Sequence, residues 1–440
     1  MNKGQYDVLI IGGGISGTAL LYELAKFTDL SKIGLVEKYD RIADVNSHGR
    51  NNSQTLHCGD IETNYTLEKA IQVKQTASMV LNYAQKQTNR DRLIYKYSKM
   101  VLGVGSHECG VLRDRHKIFK SHYPNMQVLE RSDIADIEPA VATGRKDEIV
   151  ALGMLDEYTA VNFGALANSF VEQATTVTDK TVDVLLETQV DDIVKNDSGF
   201  RVSTSKGELQ AKFVVVSAGG HSLLFAHRMG YCLEYSCLPM AGSFYYTPSI
   251  LNGKVYTVQN EKLPFAAIHG DPDVLMPDKT RFGPTALVLP MLERYNLKTV
   301  IDFLHVLKLD RSVVNVLWDL MKVSDIRNYI FKNFLFEVPI LRTRLFLNDA
   351  RKIVPDMQLN DLSFASKIGG IRPVMIDKVN RKLHLGEAKI NTGQGVIFNM
   401  TPSPGATSCL GNAEGDLKII VEHLKCQFRE KEFNETLKSS

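Results

Sequence analysis

At 440 residues the chain is longer than one hydrophobic core usually serves, so two closely joined domains are expected. Lys and Arg (52) nearly balance Asp and Glu (50), and a net charge of +2 gives no electrostatic footprint for nucleic acid. The six cysteines, Cys58, Cys109, Cys232, Cys237, Cys409 and Cys426, form no CxxC pair and no Cys/His cluster; no metal site is expected, and they read as reduced thiols of a cytoplasmic protein.

In chain order, YDVLII at 6–11 reads as a buried parallel strand and ISGTALLYELAKF as the helix after it, with Ala19, Leu20, Leu24 and Phe27 at helical spacing. KIGLVEK at 32–38 is the next strand and completes a βαβ unit. A helix over Leu67–Gln87 and a strand over Met100–Gly105 follow, then polar text and a short acidic turn entry at 133–141. Residues 162–176 read as a helix capped by Asn162. After it, VLLETQVDDIV, FRVSTS, ELQA and FVVVSAGG make a β-meander running into a second buried strand that ends in glycines. Residues 236–300 read as sheet with elaborated loops, 299–345 as helical, and 367–409 as strands again. A last helix covers Leu410–Cys426, and the charged tail after it is expected to fray. The N-terminus carries no signal-peptide apolar run, and no stretch approaches the ~18 apolar residues of a spanning helix.

Gly12, Gly14 and Gly17 match G-x-G-x-x-G between a strand and a helix. Such glycines allow a tight turn, close approach of backbone to a pyrophosphate, and close packing of helix on strand. Glu37, at the end of the next strand, suits a ribose with a free 2′-hydroxyl and would repel a 2′-phosphate, so NADP is disfavoured. Between NAD and FAD, the N-terminal position and the second glycine-ended strand FVVVSAGGHS favour FAD.

These features, with NNSQTLHCGDIETNYT (51–66), LPMAGSFYY (238–246), KLPFAAIHGDPD (262–273), RFGPTALVLP (281–290) and NMTPSPGATSCLGNA (399–413), resemble the FAD-dependent D-amino-acid oxidase and glycerol-3-phosphate dehydrogenase superfamily. Within it the chain is similar, over nearly its full length, to the malate:quinone oxidoreductase family. The resemblance implies an α/β fold: a Rossmann-like FAD-binding domain, here 1–95, 150–235 and 365–428, with an inserted antiparallel-sheet substrate domain at 96–149 and 236–364 and a charged tail at 429–440. It implies that Gly12, Gly14 and Gly17 carry the pyrophosphate and Glu37 the ribose. Asn52, Ser53 and Gln54 would follow the pyrophosphate and flavin, Val190 would hold the adenine through its backbone, and Ala218 and Gly219 would line the dinucleotide. Ser403, Gly405, Ala406 and Thr407 would approach the flavin at the N-terminus of the last helix, where the helix dipole favours negative charge on the reduced ring.

The implied reaction is oxidation of (S)-malate to oxaloacetate, a step of the citric acid cycle, with electrons passed to a membrane quinone. It needs a base for the hydroxyl and cations for the carboxylates. His269 is the first choice of base and His57 the second, with His221 and His48 read as structural or surface residues. Arg372, in GGIRP, is the carboxylate anchor, while Arg50 and Arg281 read more readily as surface residues and Tyr245 and Tyr246 as core. An oxidase or dehydrogenase of L-2-hydroxyglutarate and a non-catalytic flavin-binding module are the alternatives. A quinone acceptor implies peripheral contact with the inner face of the cytoplasmic membrane. Trp318, Phe331, Phe334 and Phe336 are candidates for an interfacial helix, although packing onto the substrate domain is the favoured reading for most of them.

Overall fold

Along Tyr6–Ile11 alternate side chains enter different cores: Val8 and Ile10 join one apolar cluster, Tyr6, Leu9 and Ile11 another. A strand buried on both faces has no polar side, which is why its sequence is a continuous apolar run. The structure, a computed structural model, describes residues 5–259, 267–339, 341–384, 388–400 and 405–439. Tyr6–Ile11 lies between Gly207–Val216 and Lys32–Val36, parallel to both, with Val8 level with Phe213 and Ile33. The sheet runs Ala388–Asn391, Val396–Met400, Gly207–Val216, Tyr6–Ile11, Lys32–Val36, Thr181–Leu185, and the meander Val190–Asn196 and Gly199–Thr204 hangs from the long third strand. Helices Ile15–Phe27, Phe163–Thr175 and Cys409–Leu424 bury Leu20, Leu24, Phe170 and Leu417 in a common cluster with Val8 and Ile10.

A second sheet has the order Ser363–Phe364, Tyr245–Pro248, Met276–Gly283, His269–Asp273, Lys254–Thr257, Lys99–Val104, Ile149–Met154, Gln127–Leu129. Its pairings are antiparallel except that of Lys254–Thr257 with Lys99–Val104. A smaller sheet, Leu287–Val288, Tyr235–Ala241, Ile371–Asp377, Lys382–His384, sets Arg372 opposite Met240.

Several boundaries differ from expectation. Ile149–Met154 belongs to the second sheet, so the break expected at 150 falls inside a strand; an apolar run is the same text in either domain. Ile371–Asp377, expected in the FAD domain, pairs outside the dinucleotide sheet. The polar text after Val104 contains the helix Ser106–Phe119, whose buried stripe of Cys109, Leu112, Arg115 and Phe119 includes a cation. The tail does not fray. Residues Glu430–Phe433 and Asn434–Lys438 are helical, and Phe433 and Leu437 are fully buried. Residues 299–345 contain Thr299–Leu307, Arg311–Lys322 and Ser324–Leu335, and a further helix spans Arg342–Ala350.

Candidate active site

A cavity of about 830 Å³ lies between the sheets. Its wall includes Gly12, Gly14, Glu37, Val190, Ala218 and Gly219 from the dinucleotide sheet, Asn52, Ser53 and His57 from the loop after Lys32–Val36, and Arg372, Gly405, Ala406 and Thr407. This volume is within the range of small-molecule and cofactor sites. Most of the residues expected from the sequence therefore meet at one place. Ser403 lies outside the described residues.

Gly12 has φ +113°, and a Cβ there would stand 2.5 Å from Ser217 O, so only glycine makes this turn. Gly17 does not line the cavity. A Cβ on it would stand 2.0 Å from Gly12 O, so it sets the approach of helix to turn rather than touching a ligand. Glu37 receives the Gly13 N–H at 2.7 Å and the Tyr39 N–H at 2.9 Å. Burial pushes its pKa up and these two donors oppose the rise. Each carboxylate oxygen keeps a lone pair for a ribose hydroxyl.

The loop 43–57 runs from the glycine turn to the last helix. The Ala43 N–H donates to Gly13 O at 3.0 Å, and the His57 N–H donates to Thr407 Oγ1 at 3.2 Å. Within it Gln54 departs from expectation. It is fully buried and turned away from the cavity, donating to Gly49 O and Asp273 Oδ1 and accepting from the Val274 N–H. A left-handed backbone at Gln54, φ +53°, directs this reversal, so the residue ties the loop to the second sheet.

Arg372 is a cation on the cavity wall. Burial lowers its pKa, and Tyr329, Tyr256 and Tyr65 nearby oppose the drop. Among the described residues it has no ion pair with a carboxylate. A partly buried guanidinium without a counter-ion, on the wall of a cavity, is the chemistry of an anion receptor. Arg50 pairs with Asp44 near the surface, as expected. Arg281 does not: it is fully buried, donating to Gly49 O at 3.1 Å and standing 3.5 Å from Asp273, so its reading as a surface residue is corrected.

The two histidines differ in access. His57 lines the cavity, and its Nδ1 lies 2.5 Å from Glu62 Oε1. Burial opposes the charge of Glu62, but His57 and then Lys99 more than offset it and hold the carboxyl below its ordinary value. Arg115, from helix Ser106–Phe119, fixes this loop by donating to the carbonyls of Gly59, Glu62, Thr63 and Tyr65. His269 does not line the cavity. It is stacked on Tyr256 with ring centroids 4.3 Å apart, and its Nδ1 lies 2.5 Å from Asp271. Burial lowers the His269 pKa, Asp271 opposes, and Lys254 adds to the drop. Lys254 Nζ joins Asp271 Oδ1 and Thr55 Oγ1, each at 3.1 Å, and Tyr256 OH lies 2.5 Å from the same Thr55 hydroxyl. Because Thr55 lines the cavity, His269 reaches it through a buried polar chain. The chain was missed in the sequence, although Asp271, two residues along a strand from His269, is on the same face by the alternation of side chains. Glu62 gave no such signal, since a loop has no period.

His221 also lines the cavity, with Nε2 3.3 Å from Asp302, while His48 accepts from the Arg50 N–H to cap a turn. Tyr245 stacks on Phe346 in the core, and Tyr246 donates to Asp273.

The family model described as malate:quinone oxidoreductase matches residues 4–439. The chain is 48% identical to "Probable malate:quinone oxidoreductase" of Campylobacter jejuni, covering 99% of this chain and 100% of that protein. It is 44% identical to "Malate:quinone oxidoreductase" of Helicobacter pylori, covering 98% of each. Among solved structures, L-alpha-glycerophosphate oxidase from Mycoplasma pneumoniae with FAD bound superposes with a TM-score of 0.64 at 18% identity, covering 97% of this chain and 96% of that one. Glycine oxidase from Geobacillus kaustophilus gives 0.66 at 17% identity, covering 95% of each. At such identities these structures speak for the fold.

Proposed function

The chain belongs to the malate:quinone oxidoreductase family, and from that premise we propose that it binds FAD in the cavity, oxidises (S)-malate to oxaloacetate and passes the electrons to a quinone. The observation that carries this reading is Arg372, a guanidinium without a carboxylate partner among the described residues, on the same cavity wall as the dinucleotide turn. Gly12, Gly14, Glu37, Val190, Ala218 and Gly219 fit the dinucleotide, and Asn52, Ser53, Gly405, Ala406 and Thr407 the flavin. When bound, FAD supplies a two-electron acceptor for the hydride of the substrate carbon.

Arg372 holds one carboxylate bidentately and so orients the hydroxyl-bearing carbon. A histidine paired with a carboxylate takes the hydroxyl proton and is stabilised as the imidazolium. Each of the two histidines expected as base is so paired, and direct access favours His57 with Glu62. His269, with Asp271, acts from behind Tyr256 and Thr55. Replacing each in turn by Gln separates them: the acting base slows flavin reduction by about 10²–10⁴-fold with FAD still bound, and the other does not.

A quinone dissolves in lipid, so we place the protein peripherally on the inner face of the cytoplasmic membrane. None of the described helices is long and apolar enough to cross one. The test of the reaction is anaerobic mixing of the yellow protein with malate, 2-hydroxyglutarate, lactate or glycerol 3-phosphate. Bleaching of the flavin by malate supports the reading; indifference to malate overturns it.

A further inference from the structure

Large exposed apolar side chains are concentrated in residues 295–341, on the helices Thr299–Leu307, Arg311–Lys322 and Ser324–Leu335. We propose that these helices form the surface by which the protein docks on a bilayer containing anionic lipid. The proposal rests on the quinone reading above and gives that acceptor a place of arrival.

Arg311–Lys322 shows the feature most clearly. Val313 and Val316 are buried against the fold, yet Val314, Trp318 and Met321, at spacings of four and three, stand out on the opposite side, with Trp318 64% exposed. A helix apolar on both faces is covered on both faces in its working state. Ser324–Leu335 repeats the pattern: Asn333 is buried and accepts from the Ala286 N–H, while Phe331 and Phe334 are 64% and 57% exposed. Of the aromatic candidates in the sequence, Phe336 alone is buried, packed edge-on against Phe346.

Charge identifies the covering partner. The acids of these helices are largely engaged within the protein: Asp302 with His221, Asp310 with Lys378, Asp319 with Lys322 and Arg381. The exposed Lys298, Lys308 and Arg311 have no carboxylate within ion-pair distance among the described residues. Apolar side chains interleaved with unneutralised cations match a surface of acyl chains beneath anionic headgroups, each such cation adding to the attraction. The patch is also continuous with the active site. Thr299 and Asp302 of the first helix line the cavity, and Tyr329 of the third stands close enough to Arg372 to raise its pKa. A docked bilayer would therefore lie against helices whose inner sides wall the site.

Trp318 is the only tryptophan in the chain, so its emission reports this surface alone. The holoprotein is mixed with vesicles of phosphatidylcholine, with or without phosphatidylglycerol. The expected result is a blue shift of Trp318 emission with the anionic vesicles, quenched by brominated acyl chains, and much less with neutral ones. The double substitution Phe331→Asp and Phe334→Asp is expected to weaken vesicle binding by about tenfold or more. It should also slow reduction of vesicle-borne quinone while leaving malate-driven reduction of a water-soluble dye unchanged. Binding to vesicles without a Trp318 shift assigns docking to another face and overturns the proposal, as does absence of binding. A blue shift that depends on protein concentration without lipid assigns the patch to self-association and overturns it too. Loss of malate-driven dye reduction in the unsubstituted protein would count against the enzymatic reading, while the Trp318 measurement would still decide the docking surface.

Discussion

Arg372 and Glu138 show how burial sets the behaviour of single side chains. At Arg372, a planar fork facing the cavity grips a carboxylate through two parallel hydrogen bonds, which a lysine ammonium cannot reproduce. Arg372→Lys is expected to raise the KM for malate about 10–100-fold, a loss of ~1.4–2.8 kcal/mol, with FAD content unchanged; steady-state kinetics of malate-driven dye reduction measures it. Glu138 is not on the cavity wall; it is fully buried, accepting the backbone N–H groups of Asn252 and Gly253. Burial pushes its pKa up from 4.5 to about 7, against the pull of those two donors. Since the folded-state value is the higher one, the stability this carboxyl contributes is whole below about 4.5 and is lost as pH rises through about 7. Glu138→Gln replaces the titrating carboxyl with a neutral amide, so its Tm should vary less with pH over that window than that of the parent. Its absolute Tm should be lower, because an amide NH₂ then faces one of the two donors. Thermal unfolding at a series of pH values tests both statements.

Elements were legible where the signal was local. The strand Tyr6–Ile11, its glycine turn and the helix after it follow from sequence because one apolar run, one turn and one helical period lie within 22 residues. Asn162 capping Phe163–Thr175 was legible for the same reason, and its side chain accepts the Ala165 N–H at 3.1 Å. The tail was not. Phe433 and Leu437 sit in text so charged that no apolar stripe stands out, and only tertiary contact shows their use. Phe433 packs edge-on against Phe27 and Phe428, and Lys86 and Asn82 donate to the carbonyls of Glu435, Thr436 and Leu437. The segment is a clasp across the helices Ile15–Phe27 and Leu67–Gln85. Phe433→Ala should cost ~3 kcal/mol or more, as for other buried aromatics, visible as a lower midpoint in urea. A frayed tail would show no change. The contact of the His269–Asp271 pair with Lys254 and Tyr256 was obscured for a related reason: it depends on which strand lies beside which, and a sequence read along one strand does not say.

At the scale of the molecule, the cavity is a joint. Gly12, Glu37, Val190 and Ala218 come from the dinucleotide sheet, Gly242 and Arg372 from the small sheet and the turn beside it, Pro284 from the end of a strand of the second sheet, and Gly405–Thr407 from the approach to the last helix. A ligand filling it contacts segments that are distant in sequence, so it binds the folded arrangement and has little to bind in the unfolded chain. Linkage then makes FAD a stabiliser, worth about 2.7 kcal/mol at a free concentration 100 times its Kd. The Tm of flavin-stripped protein should climb with added FAD, in proportion to the logarithm of its concentration at high excess. FMN lacks the adenosine that Glu37 and Val190 would hold, and NAD lacks the isoalloxazine that Gly405–Thr407 would approach. Each should therefore stabilise much less at the same concentration. Equal stabilisation by NAD would mean that the walls beyond the glycine turn do not recognise a flavin, and the assignment of FAD would fall with it.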